Sequence, residues 1–305
     1  MSNGNEAETK ETYRLSPLLE DKEFRFLSSV VRADFGALSH RGKVRQDNED
    51  HYLITRLDRG QETILTNLPE GEVPKHFQEW GYGAVVADGM GGAARGEVAS
   101  SLAISTLVHL GLHFGKWNVR INEQIAEEVK ERVERFYQST GDVVREEAQD
   151  DPALAGMGTT LTAAFSAGSD LFIASVGDSR AYLFRKARLK QLTRDQTYSQ
   201  VLADAGQISQ HEVSTHHLRH ILTDAIGASQ GKVNVEIKQL HLLDGDSLLL
   251  CTDGLTEMVE EEEIAGVLLR AENPQTACQT LVDLALENGG KDNVTALVAK
   301  YHIPE

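Results

Sequence analysis

The acids in this sequence sit where acids usually do not. Asp88 ends the apolar run "VVADGMGG", Asp178 follows "IASVGDS", Asp253 follows "LLLCTDG", and Asp292 directly precedes the run "NVTALV". A single "DG" or "GD" at a strand end is ordinarily a turn, and "GGKDN" alone reads as a loop. The set reads differently. If folding gathers these carboxylates, a pair about 4 Å apart repels by roughly 4 kcal/mol at an effective dielectric of 20, and the cluster would hold protons. A divalent cation removes that conflict. Oxygen ligands without thiolate or imidazole suit hard ions, Mg2+ or Mn2+. Gly89, with no side chain, lets its carbonyl approach as a further ligand. One carboxylate bridging two ions would hold them about 3.5–4 Å apart and activate a water between them, which is equipment for phosphoester hydrolysis.

Elements that could position these acids follow from periodicity. Strands are expected at "YGAVVADG", at "TLTAAFSAG" with Leu161, Ala163 and Phe165 on one face, at "DLFIASV" and "RAYLFR" on either side of the turn "GDS", at "VNVEIKQLHL", at "SLLLCTDG" and at "NVTALVAKY". Helices are expected where apolar residues recur at helical spacing. One stripe runs from Ile121 through Ile125, Val129 and Val133 to Phe136 and Tyr137, and another takes Ala99, Ala103, Leu107 and Leu110. A third, "PQTACQTLVDLALENGG", opens on proline and closes on glycine. In "VEEEEIAGVLLR" the acids Glu260–Glu263 fall at a helix start, where the macrodipole favours them. Strands come in neighbouring groups and the long helices as insertions between them, which is not the alternation of a doubly wound parallel sheet. The expected fold is α+β, one domain over residues 31–305, with helices on the outer faces of mostly antiparallel sheets. Residues 57–80 read as a long loop, and the polar extension 1–30 as partly disordered.

Composition narrows the function. The 305 residues are 40% apolar and 25% charged, an ordinary globular balance, and carry a formal charge of −17. That charge, without a basic tract, argues against nucleic-acid binding. No apolar run approaches the roughly 18 residues of a membrane span. Cys251 and Cys278 show no pairing or zinc spacing; Cys251 reads as a small core residue, compatible with a reducing cytoplasm. "GMGTT" at Gly158, Thr159 and Thr160 lacks the lysine of a P-loop and opens a strand, so it is not a nucleotide loop.

In order, the chain reads "GKVRQDNEDHY", "VVADGMGGAARGEVAS", "GMGTTLTAAF", "IASVGDSRAYLFR", "LTRDQTYSQVLADAGQIS", "HILTDAIG", "LLLCTDGLTEMV" and "GGKDNVTALV". It resembles the protein phosphatase 2C family of metal-dependent serine/threonine phosphatases, bacterial type, over about residues 33–302. The resemblance implies a β-sandwich of two mostly antiparallel sheets flanked by helices, a four-layer α-β-β-α arrangement. It implies Mn2+ or Mg2+, two per active site, with a third, weaker ion. Asp88 matches the bridging carboxylate and Gly89 the carbonyl ligand. Asp253 and Asp292 match acids that complete one shell, and Glu49 matches an acid acting through water. Asp178 matches a ligand of the third ion, with Asp253 shared. Arg45 matches the arginine that grips the substrate phosphate; by itself, "RGKVRQDNED" would pass as a solvated face. The implied reaction is direct attack of metal-bridged hydroxide on phosphoserine or phosphothreonine, opposing a bacterial serine/threonine kinase.

Two departures leave the proton donor unassigned. Met90 stands where eukaryotic relatives carry histidine, and Gln196 where many bacterial members do. His211, His216, His217 and His220 lie in the segment that matches the family's flap. Positions 216 and 220 have the i, i+4 spacing of a helical metal pair, but no acid or cysteine stands beside them at ligand spacing, so a substrate-facing surface is the expectation. Two alternatives are a phosphoprotein-binding pseudophosphatase and a two-metal nucleotide hydrolase. The intact acids and Arg45 weigh against the first, and the net charge with the full motif set against the second.

Overall fold

The structure, a computed structural model, describes residues 31–92, 94–116, 123–228 and 231–303. The expectations for the extension 1–30 fall outside these residues, as does Ile121. Two antiparallel sheets face each other. Strands β1 (Arg32–His40), β2 (Asp50–Glu62) and β3 (His76–Met90) come first, followed by helices α1 (Ala94–Phe114) and α2 (Glu123–Asp150). Then come β4 (Gly158–Thr159), β5 (Leu161–Ala167), β6 (Asp170–Val176), β7 (Arg180–Arg185), β8 (Arg188–Gln191), the short helix α3 (Tyr198–Asp204), β9 (Glu236–His241) and β10 (Ser247–Cys251). Helices α4 (Asp253–Thr256), α5 (Glu261–Arg270) and α6 (Pro274–Glu287) precede the last strand, β11 (Val294–His302). One sheet runs β1-β11-β10-β7-β8; the other runs β2-β3-β5-β6-β9, with β4 paired to the end of β3.

Period-two alternation assigns each strand's residues to layers. In β10, Leu248 and Leu250 join Leu297 and Leu183 against Leu171, Ile173, Val86 and Ala164 of the facing sheet. Leu249 and Cys251 point the other way, onto Val267, Leu281 and Val282 of α5 and α6. Both faces are covered, which is why "LLLC" is apolar without interruption. On the opposite side Val85 and Ala87 pack on Ala99 and Ala103 of α1 and on Tyr137 and Val144 of α2. The result is four layers, helix–sheet–sheet–helix, as the resemblance implies. The Tyr137 hydroxyl donates to the Ala174 carbonyl at 2.9 Å, so the largest side chain of the α2 stripe is satisfied where it is buried.

One expectation is corrected. Residues 57–80 are not one long loop: β2 and β3 stay in register from Asp50↔Asp88 to Glu62↔His76, leaving only residues 63–75 between them. In the outer hairpin, β2 is exposed throughout from Asp58 to Glu62 and the buried position on β3 is the acid Glu79, so no apolar alternation shows. Its packing comes instead from Trp80, over which the Arg32 guanidinium stacks at 3.4 Å, with that of Arg56 at 5.6 Å. "DLFIASV" and "RAYLFR" do form β6 and β7 on either side of "GDS", and there the chain changes sheets, which puts the two strands in different layers. In β5, Leu161, Ala163 and Phe165 share one face as expected; it meets the helix side, with Phe165 partly exposed, and the face turned to the sandwich holds Thr162, Ala164 and Ser166. The buried Thr162 hydroxyl lies 2.7 Å from Ser175 Oγ and 2.9 Å from the Ser179 carbonyl oxygen, which lets a polar residue occupy the interior.

Candidate metal centre

The sequence delivers its acids to one end of the sandwich because they occupy strand ends. Asp88 lies near the end of β3, and Asp253 opens α4 just after β10. Asp292 precedes β11, Asp178 turns between β6 and β7, and Glu49 precedes β2. All five line a single cavity of about 780 Å3, with Arg45, Gly89, Met90, Thr160 and Asn293. The two sheets thus supply opposite walls.

Close backbone contacts hold those walls. A methyl group at Gly89 would lie 2.0 Å from the Gly96 carbonyl oxygen and 2.8 Å from that of Glu49. The start of α1 therefore rests directly on the end of β3, and no side chain fits between. On the other wall, a methyl at Gly254 would meet the Asn293 carbonyl oxygen at 1.9 Å. Asn293 ties the arginine-bearing loop to the Asp292 turn: its Nδ2 donates to the carbonyls of Arg41 and Asp47, each at 2.9 Å, and its Oδ1 accepts from the Glu49 N–H at 2.8 Å. The Asp88 main chain is fixed twice, its N–H donating to Thr160 Oγ1 at 2.9 Å and its carbonyl accepting from the Thr160 N–H at 2.9 Å. Thr160 Oγ1 is in turn 2.8 Å from Ser179 Oγ.

Electrostatically the cluster is unfinished. Asp88 opens to the cavity through part of its surface, yet protein surrounds it closely. Burial pushes its carboxyl well above the usual range, and Asp50, Asp253, Asp178 and Asp292 add to the shift. Asp253 is raised to about 7, by burial first and then by Glu257 and Asp292, and its carboxyl lies within hydrogen-bonding reach of that of Asp88. Burial raises Asp178 well above the normal range too, with Asp253 and Asp195 adding. Glu49 is raised by burial against the pull of Arg45. Among the described residues, three buried carboxylate oxygens have no hydrogen-bond partner: Glu49 Oε1, Asp50 Oδ1 and Asp253 Oδ1. A buried acceptor without a donor costs about 1–3 kcal/mol, more when charged. The orphaned oxygens, the all-oxygen donor set and the side-chain-free approach at Gly89 fit a hard divalent cation.

Asp50 was not singled out in the sequence, because it stands beside Glu49 in a run of acids that looks solvated. Strand register places it opposite Asp88. Its Oδ2 accepts from the hydroxyls of Thr252 at 2.8 Å and Thr295 at 2.7 Å, and burial raises its pKa to about 7 despite those bonds. The signal that could have found it is "HY" after the acids, the start of a strand whose first residue must point inward.

Arg45 donates through Nη2 to Asp292 Oδ2 at 2.5 Å, and its side chain remains 53% exposed, so part of its fork faces the cavity opening. Met90 lines the cavity and has no proton to give. Gln196 is a brace: its Oε1 accepts from the Gly177 N–H and its Nε2 donates to the Asn234 carbonyl, both at 2.8 Å. Cys251 and Cys278 are buried, and burial pushes both thiols up to about 12. The four histidines do not form a metal cluster among the described residues. Residues 210–215 form a 3-10 turn and His216 is extended, so i, i+4 spacing loses its helical meaning. His216 and His217 lie ring against ring, 4.4 Å apart. His220 alone reaches the cavity, and an acid does accompany it in space: its Nδ1 is 2.8 Å from Glu257 Oε1.

The chain matches the model of a family described as protein phosphatase 2C over residues 74–285. It is 34% identical over 266 residues to the serine/threonine protein phosphatase PstP of Mycobacterium tuberculosis, covering 87% of this chain and 44% of the relative, so it spans less than half of that protein's length. It is 35% identical to the serine/threonine phosphatase stp of Listeria innocua, over 86% of this chain and 94% of the relative. A solved structure of the PstP catalytic domain in complex with two manganese ions superposes with a TM-score of 0.65 at 30% identity, covering 89% of this chain and 99% of that one.

Proposed function

The chain belongs to the protein phosphatase 2C family, and from that premise we propose that it hydrolyses phosphoserine and phosphothreonine in proteins, using two Mn2+ or Mg2+ ions and a third near Asp178. The observation that carries the proposal is the convergence of Asp88, Asp253 and Asp292 beside orphaned, buried carboxylate oxygens in one open cavity. Bound there, divalent cations supply Lewis acidity and lower the pKa of a coordinated water.

The chain's own groups do the rest. Asp88, the Gly89 carbonyl, Asp253 and Asp292 hold the ions, Glu49 steadies the site through water, and Asp178 serves the third ion. Arg45 meets the phosphoryl oxygens with a planar fork, a geometry that an ammonium does not reproduce. Its bond to Asp292 fixes where that fork can reach, so the phosphate is oriented before the reaction. Both thiols stay protonated at neutral pH, which leaves no thiolate nucleophile and favours direct hydrolysis at phosphorus. A cognate serine/threonine kinase in the same cytoplasm would supply the substrates.

The test is Mn2+-dependent phosphate release from a phosphothreonine peptide, from ATP and from an oligonucleotide, with Mg2+ in parallel. Turnover of the peptide, lost at least about 1000-fold in Asp88→Asn with the fold retained, is the expected result. Binding without turnover of any substrate would instead mark a phosphoprotein-binding pseudophosphatase, and preference for ATP or the oligonucleotide a nucleotide hydrolase.

A further inference from the structure

A second cleft, of about 820 Å3, opens beside the metal centre and has no role in the chemistry above. It is lined by Ala155, Gly156, Met157, Gly227, Ala228 and Gly231, with Arg145, Ala148 and Gln149 of α2 at its far side. Two contacts join it to the cavity that holds the acids. Ala228 lines both. Gly91, on the cavity side, stands against the second cleft's wall: a methyl there would lie 3.4 Å from Met157 Cα and 3.6 Å from the Gly156 carbonyl oxygen. Between the openings runs a narrow floor of main chain, in which β4 pairs with Gly89–Met90 on one edge and Thr159 bridges to Ile226 on the other.

The composition of this passage is selective. Its near walls are glycine and alanine apart from the buried Met157 and Arg95, whose Cβ would lie 3.2 Å from a methyl at Gly91 and whose guanidinium is tied down on the carbonyls of Ala153 at 2.7 Å and Ala155 at 3.3 Å. Gly91, Gly156 and Gly227 have φ of +130°, +81° and +86°, so the shape requires glycine and not merely small side chains. Such a surface meets a ligand through main-chain groups and shape. Its polar end at Arg145 and Gln149 is set back from the acids.

We propose that this passage is the path by which the substrate's polypeptide leaves the metal centre, an extended segment on one side of the phosphoresidue lying between Ala155 and Ala228 and reaching Gln149. The proposal rests on the phosphoprotein phosphatase reading: an ester carried on a polypeptide must let its chain exit, and this trough adjoins the cavity at Ala228, which lines both. A path read through main-chain groups tolerates varied sequences. A small aryl phosphate has no chain to place there and gains nothing from it.

Ala155 and Gln149 are both exposed and line the second cleft, and neither lines the cavity that holds the acids. Ala155→Trp and Gln149→Trp therefore obstruct the passage from either side, and circular dichroism checks that each folds. With Mn2+ and a phosphothreonine peptide of about a dozen residues, at least one variant should lose tenfold or more in kcat/KM, while hydrolysis of p-nitrophenyl phosphate stays within twofold of wild type. Unchanged peptide kinetics in both folded variants, or equal losses on both substrates, would overturn the path. If wild type turns over neither substrate, the phosphatase reading has failed on its own. The path is then judged by anisotropy of a fluorescein-labelled phosphopeptide. Weaker binding in the tryptophan variants supports it; no wild-type binding, or binding equal in all three proteins, rejects it.

Discussion

Strand β10 has an acid just beyond each end, one buried and one half-buried at the cavity, and the protein treats the two in opposite ways. Before it, Asp246 is 1% exposed. Arg185 donates to both of its oxygens, Nε to Oδ1 at 2.8 Å and Nη2 to Oδ2 at 2.5 Å, and the Leu243 N–H adds a third bond at 2.8 Å. After it, Asp253 is surrounded by other acids and keeps one oxygen without a donor. The same residue type, five residues of strand apart, is neutralised from within at one end and left charged against its neighbours at the other. Burial alone therefore does not mark a functional acid. The mark is burial with the counter-charge withheld.

Breaking the satisfied end should cost most. Arg185→Met leaves Asp246 buried and unpaired, and denaturant unfolding should show a loss of about 3–5 kcal/mol, with specific activity per folded molecule unchanged. At the unsatisfied end the sign reverses. Asp253→Asn removes one of the repelling charges, so in chelator at pH 8 the variant should be more stable than wild type by about 2 kcal/mol, while Mn2+ no longer raises its Tm as it does for wild type.

The pH dependence sharpens the contrast. A carboxyl whose folded pKa is raised holds its proton more tightly when folded, so stability declines as pH climbs from the unfolded value near 4 through the folded value of about 7 given for Asp50 and Asp253. The Tm gain on adding Mn2+ should accordingly be small at pH 5 and grow toward pH 8; a gain that is flat with pH contradicts the assignment. Smallest of all is the effect of thiol chemistry. With both thiols raised to about 12, iodoacetamide at pH 8 should label the native protein negligibly and leave activity intact.

The unsatisfied end was the more legible in sequence, because acids abutting apolar runs violate an ordinary pattern, whereas Arg185 and Asp246 look like surface residues until β7 and β10 pair. Core strands could be read because "LLLC" or "VVA" carries its burial in its own residues. The β2–β3 hairpin could not, since its outer half is held by stacking of Arg32 and Arg56 on Trp80, partners far apart in the chain. Asp50 stayed hidden for a related reason. What distinguishes it from Asp47 and Glu49 is its register opposite Asp88 and two hydroxyls from Thr252 and Thr295, all set by pairing and none by spacing. The contact between His220 and Glu257 joins the segment after the 3-10 turn to a helix end and left no local trace.

Because one sheet brings Asp88 and the other brings Asp253 and Asp292, an ion held among them fastens the two halves of the sandwich together. Its removal would free the layers to slide at the very edge where catalysis is proposed. The same bond that prepares the reaction would then also serve as a rivet, and loss of cofactor would be felt as a mechanical loosening of the whole molecule.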